Sequence, residues 1–294
     1  MSKILAITHN DRFHADDVFA GAVLTLLYKD SIEFKRTRDE NEIKKGDIVF
    51  DVGGFYNSDK NLFDHHQKEG AGKRENGIPY ASFGLVWKKW GEEICESKEV
   101  ADLVDKNLVQ SVDAGDNGFS FYTYNNTELD LTEYNLNHLI SIFGSTWKET
   151  DNFDEEYLEV IKMAIKILKR EITVAKHKIE AIPLLNKFYE KTEDKRVLIL
   201  DDYLPFGSFV KKHDEILFVV SPSKDKDVWR VNTVKKEGFI SRKDLPKNWG
   251  GLRDKDLEKV TGVKGTIFCH RNLFLAVTDN KNSAIELVKL ALKN

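Results

Sequence analysis

The chain has 294 residues, of which 41% are hydrophobic and 32% are charged, so it is long enough for two domains with their own cores. Its formal net charge of −4 at pH 7 excludes wholesale electrostatic attraction to nucleic acid, although a local basic groove remains compatible with it. Two distant cysteines, Cys95 and Cys269, do not make a disulfide framework. The sequence has neither a secretory signal pattern nor an apolar run of about 18 residues, so we expect a cytoplasmic protein without a membrane span.

The first fifty residues have the pattern of a parallel sheet with crossover connections. Residues 4–8 predict a buried strand, because the run is short, apolar and β-branched. Residues 17–28 carry apolar side chains at helical spacing, and residues 33–37 and 47–52 predict two more strands. We therefore expect an α/β fold with a mainly parallel sheet flanked by helices.

The middle of the chain is predicted to be helical on both sides of a long connection. Residues 57–77 are polar and contain glycine, which predicts a loop, whereas residues 81–90 and 98–112 predict helices. Residues 153–182 form a long amphipathic pattern without glycine or proline. We take this segment as the helix that ends the first domain.

The last third of the chain has a different pattern, with several short predicted strands and a closing helix, which is typical of a smaller α+β domain. Its closing segment, residues 283–292, predicts an amphipathic helix. The predicted strands are residues 197–200, 216–220, 229–234, 266–270 and 273–277. We place the two domains at residues 1–185 and 186–294, with a boundary uncertain by about ten residues.

Metal-ligating residue types follow two of the predicted strands. His9 comes directly after the first strand, with His14 and Asp16 close behind it, and Asp51 stands at the end of the third strand. Ligands of open α/β sheets bind at the carboxyl ends of the strands, so these side chains should meet at one edge. Taken singly, each residue has a simpler interpretation, since His9 could be a loop residue, Asp51 could start a turn and Asp16 could cap a helix.

The loop after Asp51 adds the triplet Asp64-His65-His66. Imidazole and carboxylate ligands suit Mn²⁺, and also Fe²⁺, Co²⁺ or Zn²⁺. The set exceeds what one metal needs, which favours two metals that share a carboxylate. Such a pair activates water and neutralises a phosphoryl group, so the residues predict hydrolysis at phosphorus.

The order of these motifs resembles the Myg family, named for melanocyte proliferating gene, which belongs with the DHH phosphoesterases. In the first half the matching runs are Thr8-His9-Asn10, Phe13-His14-Ala15-Asp16-Asp17, Arg36-Thr37-Arg38-Asp39, Asp51-Val52-Gly53-Gly54, Asp64-His65-His66-Gln67 and Val112-Asp113-Ala114-Gly115-Asp116-Asn117-Gly118. In the second half they are Trp229-Arg230-Val231, Ser241-Arg242, Leu245-Pro246, Trp249-Gly250-Gly251-Leu252-Arg253 and Gly265-Thr266-Ile267-Phe268. The resemblance implies a DHH-like catalytic domain followed by a substrate-binding domain.

The resemblance also implies a role for each matching residue. His9 and His14 would hold one metal, Asp16 the other, and Asp51 would bridge the two. A later aspartate would complete the second metal, with Asp113 as our choice and Asp116 as the alternative. The implied metal ligands are thus His9, His14, Asp16, Asp51, His65 and Asp113. The implied catalytic residues are His66, which would contact the phosphate or protonate the leaving group, and Asp64, which would orient its neighbours.

Family members are described as 3′ to 5′ exonucleases acting on RNA, so the resemblance implies an RNA or nucleotide substrate and two divalent ions. Mn²⁺ is the expected ion, with Mg²⁺, Co²⁺ or Fe²⁺ as alternatives. Arginine matches phosphate geometry, which makes four arginines candidates for substrate binding, with a solvated surface charge as the alternative for each. They are Arg38, Arg230, Arg242 and Arg253. Trp249 is a candidate for stacking on a base.

Two other functions fit the same residues. The site could hydrolyse a small phosphate compound such as pyrophosphate, a nucleotide bisphosphate or a cyclic dinucleotide, and the mild acidity of the chain favours this option. The protein could instead bind metal without catalysis, although a decayed site would be expected to lose ligands. The sequence leaves the oligomeric state open, with a homodimer as one option.

Overall fold

The computed structural model has an α/β fold that divides into two compact units, Met1–Lys176 and His177–Asn294. It describes residues 3–120, 128, 133–149, 152–225, 227–238 and 240–294. Both the division between the units and the predicted domain boundary fall inside one long helix. None of the helices in these described ranges combines the length and apolar character that crossing a bilayer requires.

The sheet of the first unit has the strand order β2-β1-β3-β5-β4. Its strands are β1 Ile4–Thr8, β2 Ile32–Arg36, β3 Ile48–Phe50, β4 Tyr56–Asn57 and β5 Leu62–Phe63. All neighbouring pairs are parallel except β4 with β5. The short apolar run of β3 is buried on both faces, as a central parallel strand should be. The prediction of an α/β fold with helices around a mainly parallel sheet is confirmed.

Helices cover this sheet and carry the loops that follow its strands. They are α1 Ala15–Tyr28, α2 Glu40–Ile43, α3 Ser82–Cys95, α4 Lys98–Val104, α5 Gln110–Asp116 and α6 Leu136–Ser141. Short 3₁₀ segments occupy Lys29–Ser31 and Ser58–Lys60. The helix predicted over residues 98–112 is interrupted, because Asp105–Val109 forms a π-helical turn between α4 and α5.

The long helix α7, Phe153–Lys191, packs its first half against α1. The fit is close at Gly21, where an added Cβ would lie 2.8 Å from the Ile161 side chain and 2.9 Å from the Tyr157 hydroxyl. The Tyr157 hydroxyl, fully buried, donates a hydrogen bond of 3.1 Å to the carbonyl of Asp17. This part of α7 therefore supports the N-terminal turn of α1.

The helix α7 continues beyond residue 182, where the sequence pattern predicted its end. Pro183 lies inside it, and an internal proline costs a helix about 3 kcal/mol. One face of the last turns is nevertheless buried, since Ala181 and Leu185 pack in one core cluster with Leu198 and Phe209. Burial of this apolar surface offsets the lost backbone hydrogen bond.

The second unit is built on a sheet of order β11-β12-β8-β7-β6. Its elements are β6 Val197–Ile199, α8 Gly207–Val210, β7 Phe218–Pro222, β8 Trp229–Thr233, β9 Lys235–Glu237, β10 Ile240–Ser241, α9 Asp254–Thr261, β11 Thr266–Cys269, β12 Leu275–Thr278 and α10 Lys281–Lys293, with a 3₁₀ turn at Lys247–Trp249. The pair β6–β7 is parallel, the other neighbours are antiparallel, and β9 and β10 form a separate hairpin. Trp249 is buried in the core of this unit, which is inconsistent with the stacking role predicted for it.

Candidate metal centre

The centre begins where β1 and β3 end side by side. Their parallel register pairs Ile7 with Val49, so the side chains two residues further on, His9 and Asp51, meet. His9 Nε2 lies 3.2 Å from Asp51 Oδ2, and both residues are 2% exposed. His9 Nδ1 donates to the Asn10 carbonyl at 2.8 Å, which leaves Nε2 as the nitrogen that faces the carboxylates. Asp51 has a left-handed backbone with φ 54°, a strained conformation of the kind that clusters at functional sites.

The first turn of α1 supplies two more buried carboxylates, those of Asp16 and Asp17. The backbone N–H of His14 donates to Asp17 Oδ1 at 2.8 Å, and this contact folds the Asp17 side chain back to the start of the helix. Asp17 Oδ2 then lies 3.6 Å from His9 Nε2. Asp17 is not among the site residues that the sequence predicts. Its position three residues after His14, the N-cap, is the signal that could have revealed it.

Asp64 holds the histidine pair in place. β5 runs parallel to β3 with Phe63 beside Phe50, so Asp64 emerges next to Asp51. Asp64 Oδ1 accepts from the backbone N–H groups of His65 and His66 at 2.8 and 3.1 Å and contacts His66 Nδ1 at 2.7 Å. Its other oxygen accepts from the backbone N–H of Gly54. Both oxygens of the carboxylate thus accept hydrogen bonds from neighbouring groups, as expected of a residue that orients them.

The two histidines of the triplet have different surroundings. His65 is buried, and its Nε2 lies 3.3 Å from Asp51 Oδ1 and 3.2 Å from Asp116 Oδ2. The His66 side chain is 61% exposed, with Nδ1 3.6 Å from Asp51 Oδ1. The hydrogen bond to Asp64 raises the pKa of His66 above its usual value, despite partial burial. His66 therefore stands at the mouth of the cluster while His65 lies inside it.

The structure brings Asp116 into the cluster and keeps Asp113 out of it. Asp116, the last residue of α5, shares a group of possible metal ligands with His14 and Asp16. Asp113 Oδ2 lies instead 2.8 Å from Arg74 Nη1, and Oδ1 accepts from the backbone N–H of Gly84 at 2.9 Å. The choice of Asp113 among the ligands therefore needs correction, because its carboxylate is already matched by a buried guanidinium.

The electrostatics of the cluster indicate a missing positive charge. Burial raises the pKa of Asp16 well above its usual range and that of Asp17 to about 7, with His9 opposing the shift at Asp17. Burial also acts on Asp51 and His65, but hydrogen bonds and nearby charges outweigh it. Contacts with His65 and His9 lower the pKa of Asp51, and contacts with Asp116 and Asp51 raise the pKa of His65 to about 10. Both Asp16 oxygens and Asp17 Oδ2 are buried without a hydrogen-bond donor among the described residues.

Divalent cations fit this arrangement. Buried carboxylates need a cationic partner or a proton, and oxygen and imidazole ligands suit hard or intermediate divalent ions. Four groups of side chains bring their ligand atoms within 4.8 Å of one another, and Asp51 belongs to three of them. The groups are His9–His14–Asp51, Asp51–His65–His66, His14–Asp16–Asp116 and Asp16–Asp17–Asp51. A cleft of about 700 Å³ opens over them and is bounded on its far side by α6.

The four predicted substrate arginines do not share one environment. Arg38 is exposed and lines a separate, more apolar groove beside Phe55. Arg242 donates to the backbone carbonyls of Val210, His213 and Ile216 at 2.6–3.1 Å. These bonds engage both Nη1 and Nη2 of its guanidinium. Arg242 therefore has a structural role in the second unit rather than the predicted role in substrate binding.

Arg230 and Arg253 lie at the two ends of one row across the second sheet. Arg230 pairs with Val277, Val277 with Phe268, and Phe268 with Arg253 through an isolated bridge. Paired residues of neighbouring strands project from the same face. The Arg253 guanidinium lies over the Phe268 ring, 5.0 Å from its centroid. Two exposed arginines therefore share a sheet face with an aromatic ring.

Fold and cluster together define an α/β protein with a buried histidine–carboxylate cluster, able to hold metal ions, at the carboxyl ends of its strands. The MYG1_exonuc family model, described as an uncharacterised protein family (UPF0160), matches residues 5–292, and the chain belongs to this family. The resemblance to the Myg family is thus confirmed.

Similar proteins extend over nearly the whole chain. The MYG1 protein C694.04c of Schizosaccharomyces pombe is 28% identical, over 99% of this chain and 98% of its own length. The MYG1 protein C27H6.8 of Caenorhabditis elegans is 30% identical, over 97% and 94%. The MYG1 exonuclease of Homo sapiens is 29% identical, over 97% of this chain and 85% of its own length.

Proposed function

We propose that this protein is a two-metal-dependent phosphodiesterase that acts as a 3′ to 5′ exonuclease on RNA or short oligonucleotides. The observation that carries the proposal is the set of buried carboxylates of Asp16, Asp17 and Asp51, which form no ion pair with a lysine or arginine among the described residues and have only histidines as ion-pair partners. The name of the human relative, MYG1 exonuclease, supports the choice of a phosphodiester substrate. A DHH-type arrangement of the first unit is part of the proposal.

In this proposal the metal ligands come from four places in the chain. His9 and His14 would hold one ion and Asp16 and Asp116 the other, and Asp51, which takes part in three of the four ligand groups, would be shared between them. His65 completes the set, and Asp17 lies close enough to be a further ligand. Two divalent ions bound here, with Mn²⁺ preferred, would activate water and neutralise the charge on a phosphodiester.

His66 is the proposed proton donor to the leaving oxygen. Its Nδ1 contacts Asp64, and none of the described residues forms a hydrogen bond with Nε2, which can therefore face a bound substrate. The raised pKa keeps a larger fraction of the ring protonated near neutrality, which suits a general acid. In the second unit, the face that carries Arg230 and Arg253 is the proposed contact for substrate phosphates, with Arg38 as a further contact in the first unit.

The proposal is tested with the purified protein, Mn²⁺ and end-labelled single-stranded RNA. We expect release of mononucleotides, and a loss of at least about a thousandfold in Asp51→Asn, which removes a bridging charge. Asp59→Asn, which changes an exposed aspartate outside the cluster, is the matched control and should retain activity. Equal release by the wild type and Asp51→Asn, or no release by either, would contradict the proposal.

A second pair of variants separates ligand from structural aspartate. Asp116→Asn should lower Mn²⁺ affinity and activity by at least about tenfold. The melting temperature of the metal-free protein should change little, because relief of the repulsion with Asp16 offsets the lost contact with His65. Asp113→Asn should instead lower the melting temperature, because it breaks a buried ion pair. Calorimetric Mn²⁺ titration and thermal unfolding measure both. The assignment of Asp116 is wrong if Mn²⁺ binding is unchanged in its variant.

A further inference from the structure

The cleft over the cluster continues into a second cavity of about 370 Å³ in the first unit. The two cavities share Gly115, Glu133, Asn135 and Asn137 as lining residues, so they form one depression that runs from the metal ligands along α6. We call this depression the α6 trough. Cavities of 700 and 370 Å³ are within the range of about 300–1,000 Å³ that is usual for small-ligand sites.

The lining of the α6 trough mixes polar and apolar groups and carries no cationic side chain other than histidine among the described residues. The amides of Asn117 and Asn137, the hydroxyl of Ser141 and the imidazole of His138 line the part next to the cluster. Leu136 and the ring of Phe119 line the far part. A ligand with several phosphates would find no lysine or arginine here, whereas neutral sugar and base groups match amides and an aromatic ring.

Asn137 and Phe119 occupy the two positions that a nucleoside would meet. A Cβ on Gly115 would lie 1.9 Å from Asn137 Nδ2, so the glycine makes room for this amide at the junction of the two cavities. Phe119 is fixed through its backbone N–H, which donates to the Ala114 carbonyl at 2.8 Å, while its side chain keeps the residue 37% exposed. A fixed backbone with an accessible ring is suited to stacking, because little freedom is lost when a base arrives.

We propose that the α6 trough binds the nucleoside next to the phosphodiester that is cleaved, with its base stacked on Phe119 and its sugar or base edge hydrogen-bonded to Asn137. This inference rests on the proposed function and narrows it. A single phosphodiester that carries a nucleoside fits the trough, whereas pyrophosphate and nucleotide bisphosphates lack partners for their additional charge.

The test compares two substrates that share a phosphodiester but differ in the nucleoside. Single-stranded RNA fills the trough, whereas bis(p-nitrophenyl) phosphate presents a phosphodiester without sugar or base. With Mn²⁺, Phe119→Ala and Asn137→Ala should each raise KM for RNA by about tenfold, the lower part of the range for loss of one stacking or hydrogen-bonding contact. The kcat/KM for bis(p-nitrophenyl) phosphate should stay within about twofold of wild type, since the variants leave the cluster intact.

Phe143→Ala is the matched control. Phe143 is 39% exposed, nearly as much as Phe119, and lies just beyond α6 without lining either cavity. It should therefore bind and cleave RNA like the wild type. Gly115→Ala is an independent probe, since its methyl group must displace the Asn137 amide and should raise the RNA KM as Asn137→Ala does.

A binding measurement distinguishes failure of the inference from failure of the proposed function. Fluorescence anisotropy of a labelled RNA oligonucleotide, in Ca²⁺ or in EDTA, should show about tenfold weaker binding to Phe119→Ala and Asn137→Ala than to Phe143→Ala. Equal RNA affinity and KM in all three variants would overturn the inference, as would an equal loss on both substrates. A wild type that cleaves neither substrate but shows these binding differences would overturn the phosphodiesterase and keep the nucleoside site.

Discussion

The first unit contains two neighbouring sets of buried carboxylates, and the negative charge of each set is balanced in a different way. Asp113 is matched inside the protein, because the Arg74 guanidinium lies 2.8 Å from it and also donates to Asp105 at 2.7 and 3.2 Å. Asp16 and Asp17 are equally buried but form no ion pair with a lysine or arginine among the described residues, although the charge of Arg36 lowers the pKa of Asp17. This contrast supports the proposal that the second set binds a cation from solution, because buried carboxylates without a close ion-pair partner are costly.

The largest expected effect is the removal of the internal cation. Arg74→Met leaves Asp113 and Asp105 without their partner, and breaking a buried ion pair costs about 3–5 kcal/mol of unfolding free energy. Urea denaturation of the metal-free protein at pH 7.5 measures this loss. Arg170→Met changes an exposed arginine of α7 and should stay within about 0.5 kcal/mol of wild type. A loss below about 1 kcal/mol in Arg74→Met would remove the contrast between the two sets.

The pH dependence of the stability of Arg74→Met is a second test of the ion pair between Arg74 and Asp113. Burial raises the pKa of Asp113 to about 7 even with Arg74 opposing it, and the variant should raise it further. A carboxyl group whose folded pKa exceeds its unfolded pKa favours the folded state at low pH, and this contribution is lost as pH rises through the folded pKa. The difference in stability between wild type and variant should therefore shrink from pH 7.5 to pH 5.

The second prediction concerns the binding of Mn²⁺ to the set that contains Asp16 and Asp17. Mn²⁺ at about one hundred times its dissociation constant should raise the free energy of unfolding by about 2.7 kcal/mol, because the ion binds the folded cluster alone. The effect should grow between pH 6 and 8, since the raised pKa values of Asp16 and Asp17 require these groups to release protons to the metal. Thermal unfolding with Mn²⁺ and with EDTA measures it. Asp51→Asn should lose most of the stabilisation, and an equal gain in that variant would place the metal elsewhere.

The smallest effect tests how tightly Asp113 is held. An added Cβ on Gly84 would lie 1.8 Å from Asp113 Oδ2, so Gly84→Ala should force this carboxylate away from Arg74 and cost about 1–3 kcal/mol. Gly207→Ala is the control, since nothing lies within 4 Å of its added methyl group. Chemical denaturation of both variants gives the comparison. Equal stability of the two variants would mean that the Asp113 carboxylate can move away from Arg74 without a loss of stability.

The sequence alone predicted most of the candidate centre, because apolar strands precede several of its residues. Short apolar strands place the next residue at the edge of a parallel sheet, so His9, Asp51 and Asp64 converge once β1, β3 and β5 are parallel neighbours. His14 and Asp16 follow from the start of α1 in the same way. His9 and Asp51 are about forty positions apart, but each follows an apolar strand that hydrophobic patterning predicts, whereas β5 lies within the segment predicted as a loop.

The residues that the sequence did not assign depend on contacts between distant segments. The choice between Asp113 and Asp116 is set by the π-helical turn Asp105–Val109, whose wider winding shifts the phase of α5, and by Arg74 from a loop about forty residues earlier. Arg242 has the same residue type as Arg230 and Arg253, but three backbone carbonyls surround it. The apolar strands and the residue types at their ends were therefore determined by the sequence, whereas the tertiary structure decided the strand order and which charge is matched inside the protein, because pairing requires atoms from remote segments to meet at about 3 Å.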